Sequence, residues 1–471
     1  MSTLTAISTT KTRSSRIPIA RVLLYLLVLS FPFFSVEPKI FRPDWWIGGA
    51  LIVVFAFSVL ARGRFRLDPI GHAVLWFNAA VLLSTAVNFW SWEAAQWVEF
   101  LTLWLQLIFA TLLYFALSNL KLSIPEMRFL LKLWIGIAVM VALYGLYQAL
   151  ARNLDLPFAY VPHLHPELSP SQLEWGLGFA GYVRPSSVLR EPTYLGNYLL
   201  GPLLIAAILT FFKRDQLWLF KSRGWNRASV FILFAAFITS FSLAGYITLL
   251  SVILIAALLN RLSRKLALRL IGIGIVALIL IAIVSLSLDL RLVSAIVGRS
   301  KWAVQTVILA EEIGALGTSE GVRLQEIILA LSVWTHYPMV GIGLNQLQFV
   351  GKLYAPEMLL SYVAEAGYTH NIWLEVLVQS GALGLFFFGL TWFQALRMIR
   401  SSFRRSGEPL RWLCFALFFV LLATIIRGLM GGPFTFTLYW FYLGLTSIVY
   451  NLARSEECAR SGSLEENTRF C

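Results

Sequence analysis

The sequence predicts an all-α integral membrane protein with about twelve membrane-spanning helices. Two properties of its composition and one pattern lead there. Of 471 residues, 58% are hydrophobic and 13% charged, about half the charged share of an ordinary soluble domain. The mean hydropathy is +0.75, and many stretches reach about 20 apolar residues, enough for a helix to cross roughly 30 Å of hydrocarbon. The pattern lies in the charges: Lys and Arg sit in short segments between the apolar ones, as orientation in a bilayer requires.

The spans fall near residues 18–36, 46–61, 69–88, 98–118, 127–149, 194–212, 227–242, 244–260, 267–288, 381–400, 411–429 and 434–452. The first is not a cleaved signal, since no small-residue cleavage site follows it and Pro32 and Glu37 come next. Very short turns, SFSLAG at 240–245 and GLMGGP at 428–433, join two of the pairs. Basic residues collect at the N-terminus (Lys11, Arg13, Arg16, Arg21) and after every second span. Examples are Arg62, Arg64 and Arg66, then Lys121 and Arg128, Lys213 and Arg214, Arg261, Arg264 and Lys265, and Arg397, Arg400, Arg404 and Arg405. With twelve spans all of these lie on one face, which the positive-inside rule makes cytoplasmic, together with both termini.

The opposite face then carries two long loops, 150–193 and 289–380, and in the second, residues 321–335 read as an amphipathic helix outside the membrane. The chain divides into a nine-helix membrane bundle (1–288), an outer loop (289–380), a three-helix membrane segment (381–453) and a cytoplasmic tail (454–471). Long structured loops on one face are where function is expected. No internal repeat of the transporter kind is evident.

A net charge of +14 follows from orientation here, and there is no basic–aromatic module that would bind nucleic acid. Cys414, Cys458 and Cys471 form no disulfide or metal motif. His163 and His165, with Glu167 nearby, lack the further paired ligands of a metal site, so no metal is expected. His370 differs by position. It follows Gly367 and precedes a helical run, which puts it at a helix start, where the positive end of the dipole favours a neutral imidazole able to accept a proton. Asn371, Glu375 and Gln379 follow at i, i+4 and i+8 on one helical face. Such a stripe either orients a ligand or simply solvates an exposed face.

Arg184, Arg190, Arg323 and Arg427 fall on the outer face, where orientation does not call for them. Arginine suits bidentate contact with phosphate oxygens, and several together suit a pyrophosphate. The plainer readings are loop salt bridges with Glu191 or Glu326 and, for Arg427, a side chain reaching for the interface.

Three segments, in order, resemble the O-antigen ligase and O-antigen polymerase superfamily of bacterial membrane glycosyltransferases. RPSSVLREP is similar to the family's Arg with a Pro eight positions on, here Arg184 and Pro192. RLQEIILALSVWTHYPMVGIGLNQL is similar to its outer-loop Arg, helix and Pro-x-x-Gly-x-Gly turn, here Arg323, Pro338, Gly341 and Gly343. THNIWLEVLVQSGALGLFFF is similar to its His-Asn, Leu-Glu and Gly-x-x-Gly pattern, here His370, Asn371, Leu374, Glu375, Gly381 and Gly384. The chain departs at Ser242–Gly245, where the family often has Ser-Arg-Gly, and at Ser187, which stands for a usual Gly. Arg190–Pro192 is closer to exopolysaccharide-type members.

The resemblance implies a GT-C-like fold with a large helical periplasmic loop between the ninth and tenth helices, set in the bacterial inner membrane. It implies an inverting, metal-independent glycosyl transfer on the periplasmic side, with no cofactor. The donor would be a glycan on undecaprenyl pyrophosphate. The acceptor hydroxyl would belong to lipid A–core in a ligase, to a growing glycan in a polymerase, or to a protein. His370 would be the catalytic base, and Arg184, Arg190, Arg323, Asn371 and Glu375 would bind the pyrophosphate and glycan. A polar-lipid transporter or flippase is the alternative from another class, and it would favour charges and broken helices at mid-membrane.

Overall fold

A computed structural model describes residues 19–34, 42–63, 65–160, 178–179, 182–212, 220, 222–259, 261–288, 319–354, 369–408 and 410–460. His163, His165 and Glu167, weighed above as metal ligands, lie outside the described residues. So do the N-terminal basic cluster before Arg21 and the end of the tail.

Helices α1 (Ile19–Ser30), α2 (Pro43–Arg62), α3 (Pro69–Asn88), α4 (Ala94–Ser118) and α5 (Ile124–Ala151) are followed by a short antiparallel ribbon, β1 (Gly178–Phe179) with β2 (Tyr182–Val183). Then come α6 (Pro192–Phe212), α7 (Arg223–Thr239), α8 (Leu243–Leu259) and α9 (Arg261–Ser287). Next are α10 (Ser319–His336) and α11 (Leu347–Tyr354), and finally α12 (Ile372–Arg405), α13 (Leu410–Gly428) and α14 (Thr437–Arg460). The segment read as amphipathic at 321–335 lies in α10. A helix covers each of the apolar segments read from the sequence, and eight of them (α2 to α6, α9, α12 and α13) are long and apolar enough to cross a membrane.

Local chemistry sets the ends. Asp68 accepts the Gly71 N–H ahead of Pro69 to start α3. Ser123 and Glu126 form a capping box on α5. Gly63, at φ 60°, closes α2 in the left-handed region. Packing then sorts the helices: α6 is buried over 83% of its apolar window and α2 over 17%, so α6 runs through the centre and α2 along the rim. α12 packs on α3, α13, α14 and α10, and α13 packs on α6.

α12 begins earlier than the span expected at 381–400, and it is broken where that span was to begin. Gly381 has φ 67° and ψ −171° in an otherwise helical run. The freed backbone groups are taken up by residues 338–343. Ala382 N–H donates to the Pro338 carbonyl (2.9 Å) and Leu383 N–H to that of Met339 (3.2 Å), while Ile342 and Gly343 N–H donate to Val378 and Gln379 (both 3.0 Å). From α3, the Ser84 hydroxyl donates to the Gln379 carbonyl (2.7 Å) and the Asn88 amide to the Gly341 carbonyl (3.0 Å). A break inside an apolar helix is tolerated where its freed groups find protein partners, as these do. Two glycines permit the approach. A Cβ on Gly341 (φ 72°) would lie 2.5 Å from the Val378 carbonyl oxygen, and one on Gly381 would sit on the Met339 carbonyl. The Pro-x-x-Gly-x-Gly turn and the Gly-x-x-Gly pattern are therefore two halves of one latch.

Candidate active site

His370 sits one residue ahead of the N-cap of α12, rather than in the first turn. The N-cap is Asn371, whose Oδ1 accepts the Trp373 and Leu374 N–H groups (3.0 and 3.2 Å) and so fixes where the helix starts. The imidazole is gripped from α10. Its Nδ1 lies 2.7 and 2.9 Å from the two carboxylate oxygens of Glu326, and the His370 backbone N–H donates to the same carboxylate at 2.7 Å. The Glu326 side chain is 3% exposed and that of His370 36%, so the acid is buried and the ring is partly exposed. A carboxylate opposite Nδ1 favours the proton on that nitrogen and makes Nε2 the ring's acceptor. The arrangement has the geometry that a base and its orienting carboxylate require. Glu326 had a place in the sequence reading only as an ion partner for an arginine.

Arg427, near the end of α13, is 3% exposed, so it does not reach for the interface. Its Nη1 donates to the Gly431 carbonyl (3.2 Å), and its Nε has no hydrogen-bond partner among the described residues. Gly431 (φ 119°) keeps the space beside it bare: a Cβ there would lie 3.5 Å from the His370 carbonyl oxygen and 3.8 Å from both the His370 Cβ and Arg427 Nη1. The imidazole and the guanidinium thus flank one strip of backbone. Arg323, one turn before Glu326 on α10, is close enough to interact electrostatically with Arg427 as a like charge, as Tyr194 and Tyr439 also do as neighbours. Two cations kept near each other, one of them buried, are stabilised by an anion between them.

Arg184 and Arg190 lie one loop away, ahead of α6, whose Tyr194 borders Arg427. Arg184 Nη1 approaches the Phe241 carbonyl at the α7–α8 turn (3.5 Å), and Arg190 is exposed. The loop is organised by two residues that sequence reading passed over. Buried Arg152, just past α5, donates to the Ala159 carbonyl (3.0 Å), the Arg184 carbonyl (2.5 Å) and the Ser186 hydroxyl (3.0 Å). Burial pulls its guanidinium below the usual arginine range and the surrounding Tyr160, Tyr144 and Tyr182 oppose this; it remains a cation. Gln148 Oε1 accepts the Ser187 and Ser186 N–H groups (2.7 and 3.2 Å). Ser187 itself has φ 57°, the left-handed region that glycine enters without penalty, and its hydroxyl donates to the Val141 carbonyl at 2.7 Å.

The polar stripe of α12 is not a solvated face. Glu375 and Gln379 are 4% and 3% exposed, because α10 and α3 pack over them. Gln379 Nε2 donates to Glu375 Oε1 (3.3 Å), and Glu375 Oε2 has no hydrogen-bond partner among the described residues. Glu375 therefore lies a turn beneath the open surface of the site, and Asn371, its oxygen committed to the cap, has its amide nitrogen left to offer a ligand. Among the described residues no three His, Cys, Asp or Glu side chains come together as a metal would need.

Fold and site together define a multi-pass helical membrane protein with a histidine, a carboxylate and two arginines gathered at one end of its central helices. Residues 228–389 match the family model described as O-antigen ligase, from α7 to the middle of α12, and take in Arg323, Glu326, the latch and His370. Residues 228–389 thus carry an O-antigen ligase-family domain, in line with the superfamily that the resemblance named. No curated protein matches the chain.

Proposed function

We propose that the protein moves a glycan from undecaprenyl pyrophosphate to an acceptor hydroxyl on the periplasmic face of a bacterial inner membrane, as an O-antigen ligase does with lipid A–core. The observation that carries this reading is the Glu326–His370 pair (2.7 Å) set beside buried Arg427. In the reaction the acceptor hydroxyl gives its proton to His370 Nε2 and its oxygen attacks the anomeric carbon. The bond from that carbon to the pyrophosphate oxygen breaks on the opposite side, and its electron pair leaves with the pyrophosphate. The new glycosidic bond is inverted, and the imidazolium that forms faces Glu326.

Arg323 and Arg427, with Arg184 and Arg190 from the α6 loop, neutralise the leaving group, the largest electrostatic task of the step. Asn371 positions the glycan through its amide nitrogen, and Glu375 supports the start of α12 from beneath. All twelve apolar helices cross the bilayer in this reading, with both termini cytoplasmic, and neither metal nor nucleotide is required.

The Arg190–Pro192 sequence favours one second reading within the same chemistry, an exopolysaccharide-type polymerase whose acceptor is a growing glycan; transfer to a protein hydroxyl would be a third use of the same site. A flippase is disfavoured because the break at Gly381, which a transporter would leave open to its ligand, is filled here by the backbone of residues 338–343. The test is transfer by purified protein supplied with donor, alternative acceptors and a chelator. Product is expected with chelator present, and the acceptor that becomes glycosylated decides ligase against polymerase. Full transfer by both His370→Ala and Arg323→Ala would overturn the site. Movement of donor across vesicles without product would favour the flippase.

A further inference from the structure

The end of α12 remote from His370 has a second organised surface. Phe386 and Phe393 are 62% and 59% exposed on the outside of the bundle, and Arg397, Arg400 and Arg404 follow, all exposed. Steps of seven, four, three and four residues at 100° each keep these five side chains within an arc of roughly 60°, along roughly 27 Å of helix. Aromatic rings lead, and guanidinium groups end the stripe. Arg397, Arg400 and Arg404 line a groove of about 500 Å³ together with Ser401 and Arg405. The nearby acids are engaged elsewhere: Glu457 pairs with Arg405 (3.6 Å), Glu456 accepts the Gly407 N–H (3.2 Å) and Glu408 accepts from Trp412 (3.3 Å). Arg397, Arg400 and Arg404 form no hydrogen bond or ion pair with any described residue.

We infer that this stripe binds one anionic phospholipid of the leaflet opposite the candidate active site, its phosphate among Arg397, Arg400 and Arg404 and an acyl chain along Phe393 and Phe386. Arginines three and four residues apart stand about 6 Å from one another, close enough for two to grip one phosphate bidentately. Orientation alone requires cations at this end; it does not require them to continue a lipid-facing aromatic stripe, and that continuity is what selects a lipid over a free anion. The inference rests on membrane placement alone and stands or falls independently of the transfer reaction.

The test is native mass spectrometry of the full chain released from nanodiscs of phosphatidylcholine with and without phosphatidylglycerol. Wild type is expected to retain phosphatidylglycerol over phosphatidylcholine. The triple variant Arg397→Gln/Arg400→Gln/Arg404→Gln is expected to lose that preference about tenfold or more, the effect of losing one or two charge-assisted hydrogen bonds. Arg400→Gln alone should lose part of it and covers the case in which the triple variant fails to fold, and Phe393→Ala should weaken retention severalfold. Arg264→Gln/Lys265→Gln, exposed cations elsewhere in the chain, should change nothing. Equal retention by the variants, equal loss in the Arg264/Lys265 control, no preference in wild type, or displacement of the lipid by inorganic phosphate would each overturn the inference.

Discussion

The two ends of α12 carry charge in opposite ways. At its start, Glu326 and Arg427 are each 3% exposed, and His370 is held by its ring and its backbone N–H together. At its far end, Arg397, Arg400 and Arg404 are exposed along one stripe. A charge taken out of water is costly unless its partners are in place, and it then acts strongly over a short distance. A charge left in water is screened and is worth little singly, so it acts by number. The first arrangement suits work on one bond; the second suits holding a headgroup that exchanges. Their separation along one helix keeps either set of charges from disturbing the other.

The sharpest way to break that contrast is at His370. His370→Ala should lower glycan transfer by roughly 10²–10⁴-fold, the usual contribution of a positioned base, in protein that still purifies folded although its thermal midpoint drops because the buried Glu326 carboxylate loses its ring partner; a much smaller loss of transfer would place the base elsewhere. Glu326→Gln keeps the size of the side chain and removes its charge. Transfer should fall ten- to a hundredfold, as expected for a hydrogen bond to a charged group worth about 1.5–3 kcal/mol, with kcat carrying the loss and KM little changed. A variant with normal kcat would reduce Glu326 to a packing role.

Gly341→Ala should cost about 1–3 kcal/mol of stability, since it combines a positive φ with a backbone collision, and chemical denaturation in detergent would measure it. Gly389→Ala, in the same helix with nothing within 4 Å of the added methyl, should be neutral or stabilising by up to about 1 kcal/mol. Equal effects of the two would remove the latch as a structural unit. The smallest effect is expected for Ser187→Gly. Relief of the left-handed backbone, about 1–2 kcal/mol, is offset by loss of the hydroxyl bond to Val141, about 1 kcal/mol, so the melting temperature should barely move.

The helices were readable because apolar length and basic punctuation are local signals. The segment expected at 127–149 is α5 (Ile124–Ala151), and the amphipathic run at 321–335 is α10. His370 was placed within a residue of its helix start for the same reason. The partner of His370 was not readable, because Glu326 lies 44 residues away and reaches it only once the latch has brought α10 beside α12. The stripe of Glu375 and Gln379 has the same letters whether it faces water or protein, and only packing by α3 and α10 decides. Arg427 lies where hydropathy expects a side chain to reach out of the membrane; its burial comes from neighbouring helices that a single sequence does not place. Arg152 gave no signal because its hydrogen bonds go to backbone carbonyls and a serine hydroxyl and its guanidinium lies over the Tyr160 ring, none of which is a charge partner to find.

The latch has a further consequence. Along α10 and its turn, Glu326 to Pro338 spans twelve residue steps, and along α12, His370 to Ala382 spans twelve as well. The two segments run side by side, joined at both ends by Glu326 with His370 and by Pro338 with Ala382. They act as matched rulers. Inserting one residue in α10 between Glu326 and Pro338 would turn Glu326 by about 100° and shift it by about 1.5 Å relative to the latch. Every residue named here would still be present and the helices would still pack, but the imidazole would lose its carboxylate. The pairing of this imidazole with its carboxylate is thus set by a measured length as well as by the residues that form it.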